Sequence, residues 1–205
     1  VHLIASLGSR HNFTVENITK IGLSAQRTEN ISEAAENSMG ADLGEKGIEE
    51  VRGFSEALLQ LYSLRDKMES YLDILMSEAA PNIRELVGST LGARLIAATG
   101  NLENLSKKSS GTIQVLGAEK ALFRSLKTGT RPPKHGLIFQ YKDIHQSPRW
   151  QRGKISRALA GKLAIAARLD AYGGEYQGDR LKAVFDKRVE EIKASYAEPP
   201  KKGKR

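Results

Sequence analysis

A run of cations at helical spacing, bounded by glycines and prolines, is the part of this sequence best suited to chemistry. Residues 116–138 read LGAEKALFRSLKTGTRPPKHGLI. Gly117 separates a short apolar segment (Ile113, Val115, Leu116) from a helix predicted over 118–127. Gly129 stops that helix, and Pro132 and Pro133 stiffen its exit. The free N–H groups of a helix start can receive an anion, and Glu119 in the first turn suits the helix dipole. Lys120, Arg124 and Lys127 follow at spacings of four and three and so share one face, which leaves Ala121, Leu122 and Leu126 to pack inward. Holding a phosphate backbone is the simplest use of such a cationic face beside a preset loop. A merely solvated charged face is the plainer reading, and the clustering of charge, glycine and proline weighs against it.

Other chemistries find no residues. The chain of 205 residues has no cysteine, which excludes a disulfide scaffold and a zinc–thiolate site. His2, His11, His135 and His145 form no ligand pair at helical spacing, so no metal is expected. No nucleophile elbow, phosphate-binding loop or dinucleotide fingerprint is present, and carboxylates near the cationic stretch are too sparse for paired acid–base work. The chain is therefore expected to be non-catalytic and to need no cofactor. No apolar run reaches the ~20 residues of a membrane span, and the first residues lack a signal peptide's charged start. Because Val1 is not an initiator methionine, the chain is expected to start partway through a longer protein.

The net charge of +8 conceals an asymmetry. Residues 1–80 carry 7 Lys/Arg against 13 Asp/Glu, and residues 81–205 carry 25 against 11. Between Lys107 and Arg168 there are 14 basic residues and only Glu119 and Asp143 on the acidic side. That concentration favours a polyanion-binding half joined to a half with another task.

The elements that must position these cations read as helices throughout. Residues 1–7 look like the end of an apolar helix. Thr14 is a plausible N-cap for a short helix to Lys20, and a second, thinly apolar helix follows over 25–39. A long helix is predicted over 45–79. Val51, Phe54, Leu58, Leu61, Arg65, Met68, Leu72 and Leu75 alternate along it at spacings of three and four, a heptad seam interrupted only by Arg65. A coiled coil is favoured over an amphipathic helix lying on a core, and its partner within the chain would be the helix ending near Leu7. Arg65 would fix register or pair with an acid. Pro81 marks a boundary. One helix is predicted over 83–98, with Gly88 and Gly92 permitting close helix approach. A short turn follows at 102–105, then a basic polar loop (Lys107, Lys108, Ser109, Ser110, Gly111) and a short helix over 112–116. Residues 136–141 are expected to be extended or turn. Ser147 is expected to cap a helix from Pro148 to about Tyr172, with a possible break at Gly153. Its predicted core face is Ile155, Leu159, Leu163, Ala166 and Leu169. A last helix over 179–194 would bury Leu181, Val184, Phe185, Val189 and Ile192. A basic tail over 197–205 is expected to be disordered.

The block from Gly117 to Arg124 (GAEKALFR), followed by Pro133-Lys134-His135-Gly136-Leu137-Ile138, resembles the signature of the Nop domain family. Ala80-Pro81-Asn82, Gly88 with Gly92-Ala93-Arg94-Leu95-Ile96, and Gly153-Lys154-Ile155-Ser156-Arg157 resemble further family segments. The likeness runs over nearly the whole chain, and His135 departs from it where the family usually has tyrosine. The resemblance implies an all-α protein: a long antiparallel coiled-coil arm with a helical tip (1–79), then a globular helical Nop domain (80–196). It implies a box C/D guide RNA as partner, recognised at its kink-turn together with a small ribosomal-protein-like protein already bound there. Lys108, Gly117, Ala118, Glu119, Lys120, Arg124 and Lys127 would meet this complex, with Arg131, Lys134 and His135 at the RNA–protein junction. Lys154 and Arg157 would add phosphate contacts. His135 would either stack on a base or pack beside Phe139. The seam from Val51 to Leu72 would make a homodimer, and an N-terminal domain absent here would hold fibrillarin, the methyltransferase. The setting implied is the archaeal cytoplasm, or the nucleolus for a eukaryotic source. A spliceosomal-type Nop protein, which bridges small nuclear RNA and protein without methylation, is the alternative. A third reading, duplex-DNA binding through a helix-hairpin-helix-like step at Leu116-Gly117-Ala118-Glu119-Lys120, lacks the usual second glycine.

Overall fold

The computed structural model describes residues 1–199, and the expected tail lies mostly outside them. The described residues form twelve α-helices and two 3-10 turns, with no strand. None of these helices is long and apolar enough to cross a membrane. Two compact units part between Met68 and Glu69.

The first unit holds α1 (His2–Leu7), α2 (Val15–Lys20), α3 (Ala25–Glu36) and most of α4 (Glu45–Ala79). Thr14 caps α2 by accepting from the Asn17 N–H at 3.3 Å. The tip is lightly packed: Ile18 of α2 is buried beside the small polar Thr28 and Ser32 of α3. Arg10 ties the following loop down through the Ser38 and Gly40 carbonyls at 3.0 and 2.6 Å and the Asp42 carboxylate at 2.8 Å. The third helix stops at Glu36, short of Met39, because Asn37 leaves helical geometry. The first helix packs on α4, where the Arg52 Nε donates to the Ala5 carbonyl at 3.1 Å and Gly8 lies against Arg52 and Ile48. That contact uses the Ile48–Arg52–Leu59 edge and leaves the heptad seam outward. Val51, Phe54, Leu61 and Met68 are exposed, and Leu58 is half-buried. Arg65 pairs with Asp66 on its own helix at 2.9 Å and lies over the Tyr62 ring.

The second unit starts within α4, whereas sequence places the boundary at Pro81. Packing supplies the reason: Met76 and Ala80 are buried in this unit's core and Leu72 packs against it. The chain turns at Ala80 into α5 (Pro81–Val87), with Pro81 in the first turn where its missing N–H costs nothing. Gly88 then breaks what sequence reads as one helix, because it sits at φ 80°, and α6 (Ser89–Thr99) begins anew. Gly92 does permit close approach, since a Cβ there would lie 2.8 Å from Met76 Cε and 2.9 Å from Ile83 Cγ2. Asp170 caps α5 by accepting from the Asn82 and Ile83 N–H groups at 3.0 and 2.9 Å. The Asn82 side chain donates to the same carboxylate and accepts from the Gln177 N–H. Across the corner Arg84 grips Asp73 through two hydrogen bonds, and Ser89 donates to the same carboxylate.

The remaining elements are α7 (Leu102–Ser106), α8 (Ser110–Val115), α9 (Glu119–Thr128), α10 (Lys142–His145), α11 (Arg149–Ala171) and α12 (Gly178–Ser195). The axis of this unit is α11, which touches α5, α7, α8, α10 and α12. Ile155, Leu159, Leu163 and Ala166 are buried on it as its spacing predicts, and Leu169 packs at the margin. It runs through Gly153 without a break. Pro148, not Ser147, holds the N-cap position, because the Ser147 hydroxyl is spent on the Asp143 carbonyl. On α12 Leu181, Phe185, Val189 and Ile192 are buried, but Val184 points out, one position off the 3.6-residue stripe.

Arg84 and Ser89 hold the Asp73 carboxyl at about 2, below its ordinary 3.8. A depressed acid stabilises the fold above its unfolded value and loses that contribution as the pH falls to the folded one. The Tm gap between wild type and Asp73→Asn should therefore be full near neutrality and close between pH 4 and about 2. A gap that persists at pH 2 would show that the pair's charge is irrelevant.

Candidate nucleic-acid interface

The geometry of the cationic stretch depends on a backbone crossing. The Gly136 N–H donates to the Gln114 carbonyl at 2.9 Å and the Leu137 N–H to the Leu116 carbonyl at 2.7 Å. Neither glycine tolerates a side chain. A Cβ on Gly136 would lie 2.0 Å from the Leu116 carbonyl oxygen, and one on Gly117, at φ 84°, would lie 2.6 Å from Leu137 Cγ. The crossing closes residues 117–135 into a loop that carries α9 and the Pro132-Pro133 step. Gln114 reinforces it by donating to the Lys134 carbonyl at 2.7 Å.

Within this loop α9 starts one residue later than predicted, with Ala118 as N-cap, and ends at Gly129 in the left-handed conformation. Glu119 serves its own loop: its carboxylate accepts from the Gly117 N–H at 2.6 Å. Lys120, Arg124 and Lys127 are exposed as expected. The expected inward face is not. Ser125 is buried and Leu122 half-buried, whereas Ala121 is exposed, Phe123 is 68% exposed and Leu126 73%. Only the Leu122–Ser125 edge of α9 is covered.

Arg131, Lys134, Lys154 and Arg157 converge on one cleft of about 440 Å³, which Gln114, Pro132, Pro133, Trp150 and Gly153 complete. Lys134 comes from the loop after α9, and Lys154 and Arg157 come from the first turns of α11. Gly153 lets them meet, since a Cβ there would press on Lys134 Cδ at 3.3 Å. Lys154 is held by a cation–π contact, its ammonium 3.8 Å from the Tyr196 ring centroid. Trp150 and Gln151 anchor Tyr196 by donating to its carbonyl at 2.9 and 2.8 Å. Lys108 and the α9 cations are not among the cleft-lining residues.

Next to Lys134, His135 stacks on Phe139 with ring centroids 4.4 Å apart. Arg152 lies over the Phe139 ring at 5.3 Å and is fixed by the Ser147 and His145 carbonyls. Residues 136–141, expected to be extended or turn, form a 3-10 turn over Leu137–Gln140 that places Phe139 in this stack. Burial and the nearby Arg152 guanidinium, with Lys134 adding to it, hold the His135 imidazole below its ordinary 6.5. The packing of His135 beside Phe139 was one of the two expected outcomes, whereas Arg152, Trp150 and Tyr196 were missed from sequence. Trp150, the single tryptophan, was the one compositional signal, and no spacing links Tyr196 to the cleft.

The charge of this region is unbalanced by construction. Its two acids are engaged elsewhere, Glu119 on Gly117 and Asp143 on Lys193 at 3.3 Å. Among the described residues, no ion pair joins Lys120, Arg124, Lys127, Arg131, Lys134, Lys154 or Arg157 to a carboxylate. Such a surface can hold phosphates and offers no nucleophile or paired general acid and base.

Gly136→Ala should destabilise the fold by on the order of 3 kcal/mol, since backbone must move to admit the methyl; a Tm within a degree of wild type would contradict the crossing. For His135, a lowered native value means that the folded state is penalised as the pH falls below 6.5. An NMR titration should place its midpoint under 6.5, and a midpoint above 6.5 would contradict the stacked, cation-flanked setting.

A family model described as Nop, snoRNA binding domain, fibrillarin, matches residues 1–191. An uncharacterised NOP5 family protein of Methanocaldococcus jannaschii is 52% identical over 198 residues, 97% of this chain and 47% of the relative. Nucleolar protein 58 of Aspergillus fumigatus is 40% identical over 169 residues, 82% of this chain and 28% of the relative. The chain thus spans about half or less of the curated relatives it matches. A chain in the crystal structure of a fibrillarin/Nop5p complex superposes with a TM-score of 0.52 at 32% identity, over 87% of this chain and 58% of that one. With its GAEKALFR loop, its all-helical fold and a match over residues 1–191, this chain belongs to the Nop family of snoRNA-binding, fibrillarin-associated proteins.

Proposed function

We propose that this chain is a non-catalytic core scaffold of a box C/D ribonucleoprotein. The observation that carries this reading is the cleft of Arg131, Lys134, Lys154 and Arg157 beside the GAEKALFR helix, unpaired by acids within a snoRNA-binding family. The second unit grips the kink-turn of a guide RNA together with the small protein already bound there. Lysine and arginine contacts to phosphates position RNA without reading its sequence, so specificity comes from RNA shape and from the pre-bound protein. Lys120, Arg124 and Lys127 present charge from α9, while Phe123 and Leu126 add an apolar edge for that composite partner. His135 offers the ring face opposite Phe139 to a base.

The α4 seam is the self-association surface. Val51, Phe54, Leu61 and Met68 lie exposed along it, with Arg65 among them and Leu58 and Leu72 half-buried. Fibrillarin is named in the complex that this chain resembles, and on this reading a segment outside the present chain carries it. The assembly places the methyltransferase for guide-directed 2′-O-methylation of ribose, in the cytoplasm of an archaeon or the nucleolus of a eukaryote.

A gel shift with a kink-turn RNA, with and without its bound protein, tests the core of this reading. Binding to the preformed complex alone is expected. Equal binding to bare RNA or any duplex would reduce the chain to a general basic binder. Lys120→Glu with Arg124→Glu should lower affinity at least a hundredfold with the helical circular-dichroism signal intact, and unchanged affinity would exclude α9 from the interface. Leu61→Asp with Met68→Asp, both at exposed positions, should leave the fold intact and shift the sedimenting species to monomer. Unchanged sedimentation would move self-association off this seam.

A further inference from the structure

The cleft of Arg131, Lys134, Lys154 and Arg157 holds more than charge. Trp150, the single tryptophan of the chain, is half-buried in its lining, and Pro132 and Pro133 line it too. The indole Nε1 donates to the Tyr196 carbonyl at 2.9 Å, so the ring's one polar atom is spent on the end of α12. What the ring gives the cleft is an apolar π surface. Gln151 donates to the same carbonyl at 2.8 Å, and the Tyr196 ring carries the Lys154 ammonium. Indole, phenol ring and lysine are thus tied to one another before anything binds.

One more polar group completes the lining. The Gln114 Nε2 donates to the Lys134 carbonyl at 2.7 Å, which orients the carboxamide and leaves its Oε1 with no recorded donor among the described residues. That oxygen is the one side-chain acceptor of the lining, whose other polar chains are cations and the spent indole. The volume, about 440 Å³, falls within the roughly 300 to 1,000 Å³ of small-molecule pockets. An acidic peptide or a duplex backbone would use the four cations and leave the indole, the prolines and the amide idle. An unpaired nucleotide uses them all, with phosphate on the cations, base on the indole and a base amino group on the Gln114 oxygen.

We infer that this cleft is a slot for one unpaired nucleotide, its base stacked on Trp150 and its phosphate held by Arg131, Lys154 and Arg157. The slot is separate from the His135 ring, which stacks on Phe139 and is not part of the lining. Its chemistry rests on the lining alone. Its source, an extrahelical nucleotide of the bound RNA, rests on the proposed function; a free mononucleotide would present the same groups. The Gln114 oxygen favours a base with an exocyclic amine, such as adenine, over uracil.

Trp150 reports its own occupancy, because a stacked base quenches indole emission and no other tryptophan contributes. At constant ionic strength, adenosine 5′-monophosphate should quench wild type saturably, uridine 5′-monophosphate should bind at least threefold more weakly, and ribose 5-phosphate should give no quench. By equilibrium dialysis, Trp150→Leu should bind adenosine 5′-monophosphate at least fivefold more weakly, and Trp150→Phe, which keeps a ring, should recover most of that loss. Equal wild-type affinity for adenosine 5′-monophosphate and ribose 5-phosphate, without quenching, would overturn the slot whether or not the leucine variant folds. For the source, a kink-turn RNA bound to a tryptophan-free form of its protein should quench the same emission, and an abasic substitution at one unpaired position should abolish the effect. Quenching by the mononucleotide but not by the bound complex would overturn the RNA source and leave a free nucleotide as the occupant. Quenching by the mononucleotide with no binding of the complex would overturn the proposed function and leave the slot. Binding of the complex with no quenching by either probe would overturn the slot and leave the proposed function.

Discussion

Two glycines that cross without room for a methyl group set the geometry on which the candidate interface depends. Gly136 passes over the Leu116 carbonyl and Gly117 over Leu137, and two backbone hydrogen bonds lock them together. Everything between them, the GAEKALFR helix, the left-handed stop at Gly129 and the proline pair, is a closed loop with a fixed base. The base brings Lys134 to the first turns of α11, where Gly153 admits its stem. Arg131, Lys134, Lys154 and Arg157 are therefore neighbours although 26 residues of sequence separate the first from the last. Holding four cations together costs mutual repulsion, and a hydrogen-bonded, glycine-locked frame is a way to impose that cost before any anion arrives.

The acids make the same point from the other side. In the cationic stretch Glu119 and Asp143 are withdrawn, one onto a backbone N–H and one onto a distant lysine. Elsewhere in the second unit two acids are structural. Asp170 caps α5, and Asp73 takes both a bidentate arginine and a serine at the corner where α4 gives way to α5. Two of the unit's carboxylates thus hold joints, while among the described residues the α9 and cleft cations pair with no carboxylate. Net charge alone would describe this as a modest excess; its spatial sorting is what suits the surface to a polyanion.

The residues that resemble the family signature prove to be of two kinds. Gly117, Gly136, Gly92, Pro81 and Asn82 are architectural: each removes a clash or satisfies a helix end. Lys120, Arg124, Lys134, Lys154 and Arg157 are outward and uncommitted to carboxylates. His135 stands between these groups. Its stack on Phe139, backed by Arg152, gives the imidazole a fixed plane and a lowered affinity for protons, so near neutrality it is a flat uncharged ring among cations.

The sequence by itself determined the all-helical class, the span of α4 from Glu45 to Ala79, the Thr14 cap, the core stripes of α11 and most of α12, and the identity of the cationic residues. These follow from local rules, 3.6-residue periodicity and end-capping, that need no distant partner. It did not determine the break at Gly88, the outward turn of Leu126 and Val184, the engagement of Ser147 by Asp143, or the start of the second unit inside α4. Each was decided by what packs against the element, which periodicity does not specify. Sequence also named the cations but not their company. That Arg131, Lys134, Lys154 and Arg157 share a cleft, that Tyr196 holds Lys154 and that Arg152 backs Phe139 are contacts between segments far apart in the chain. Only the closed glycine crossing and the packing of α8 and α12 on α11 bring them within reach.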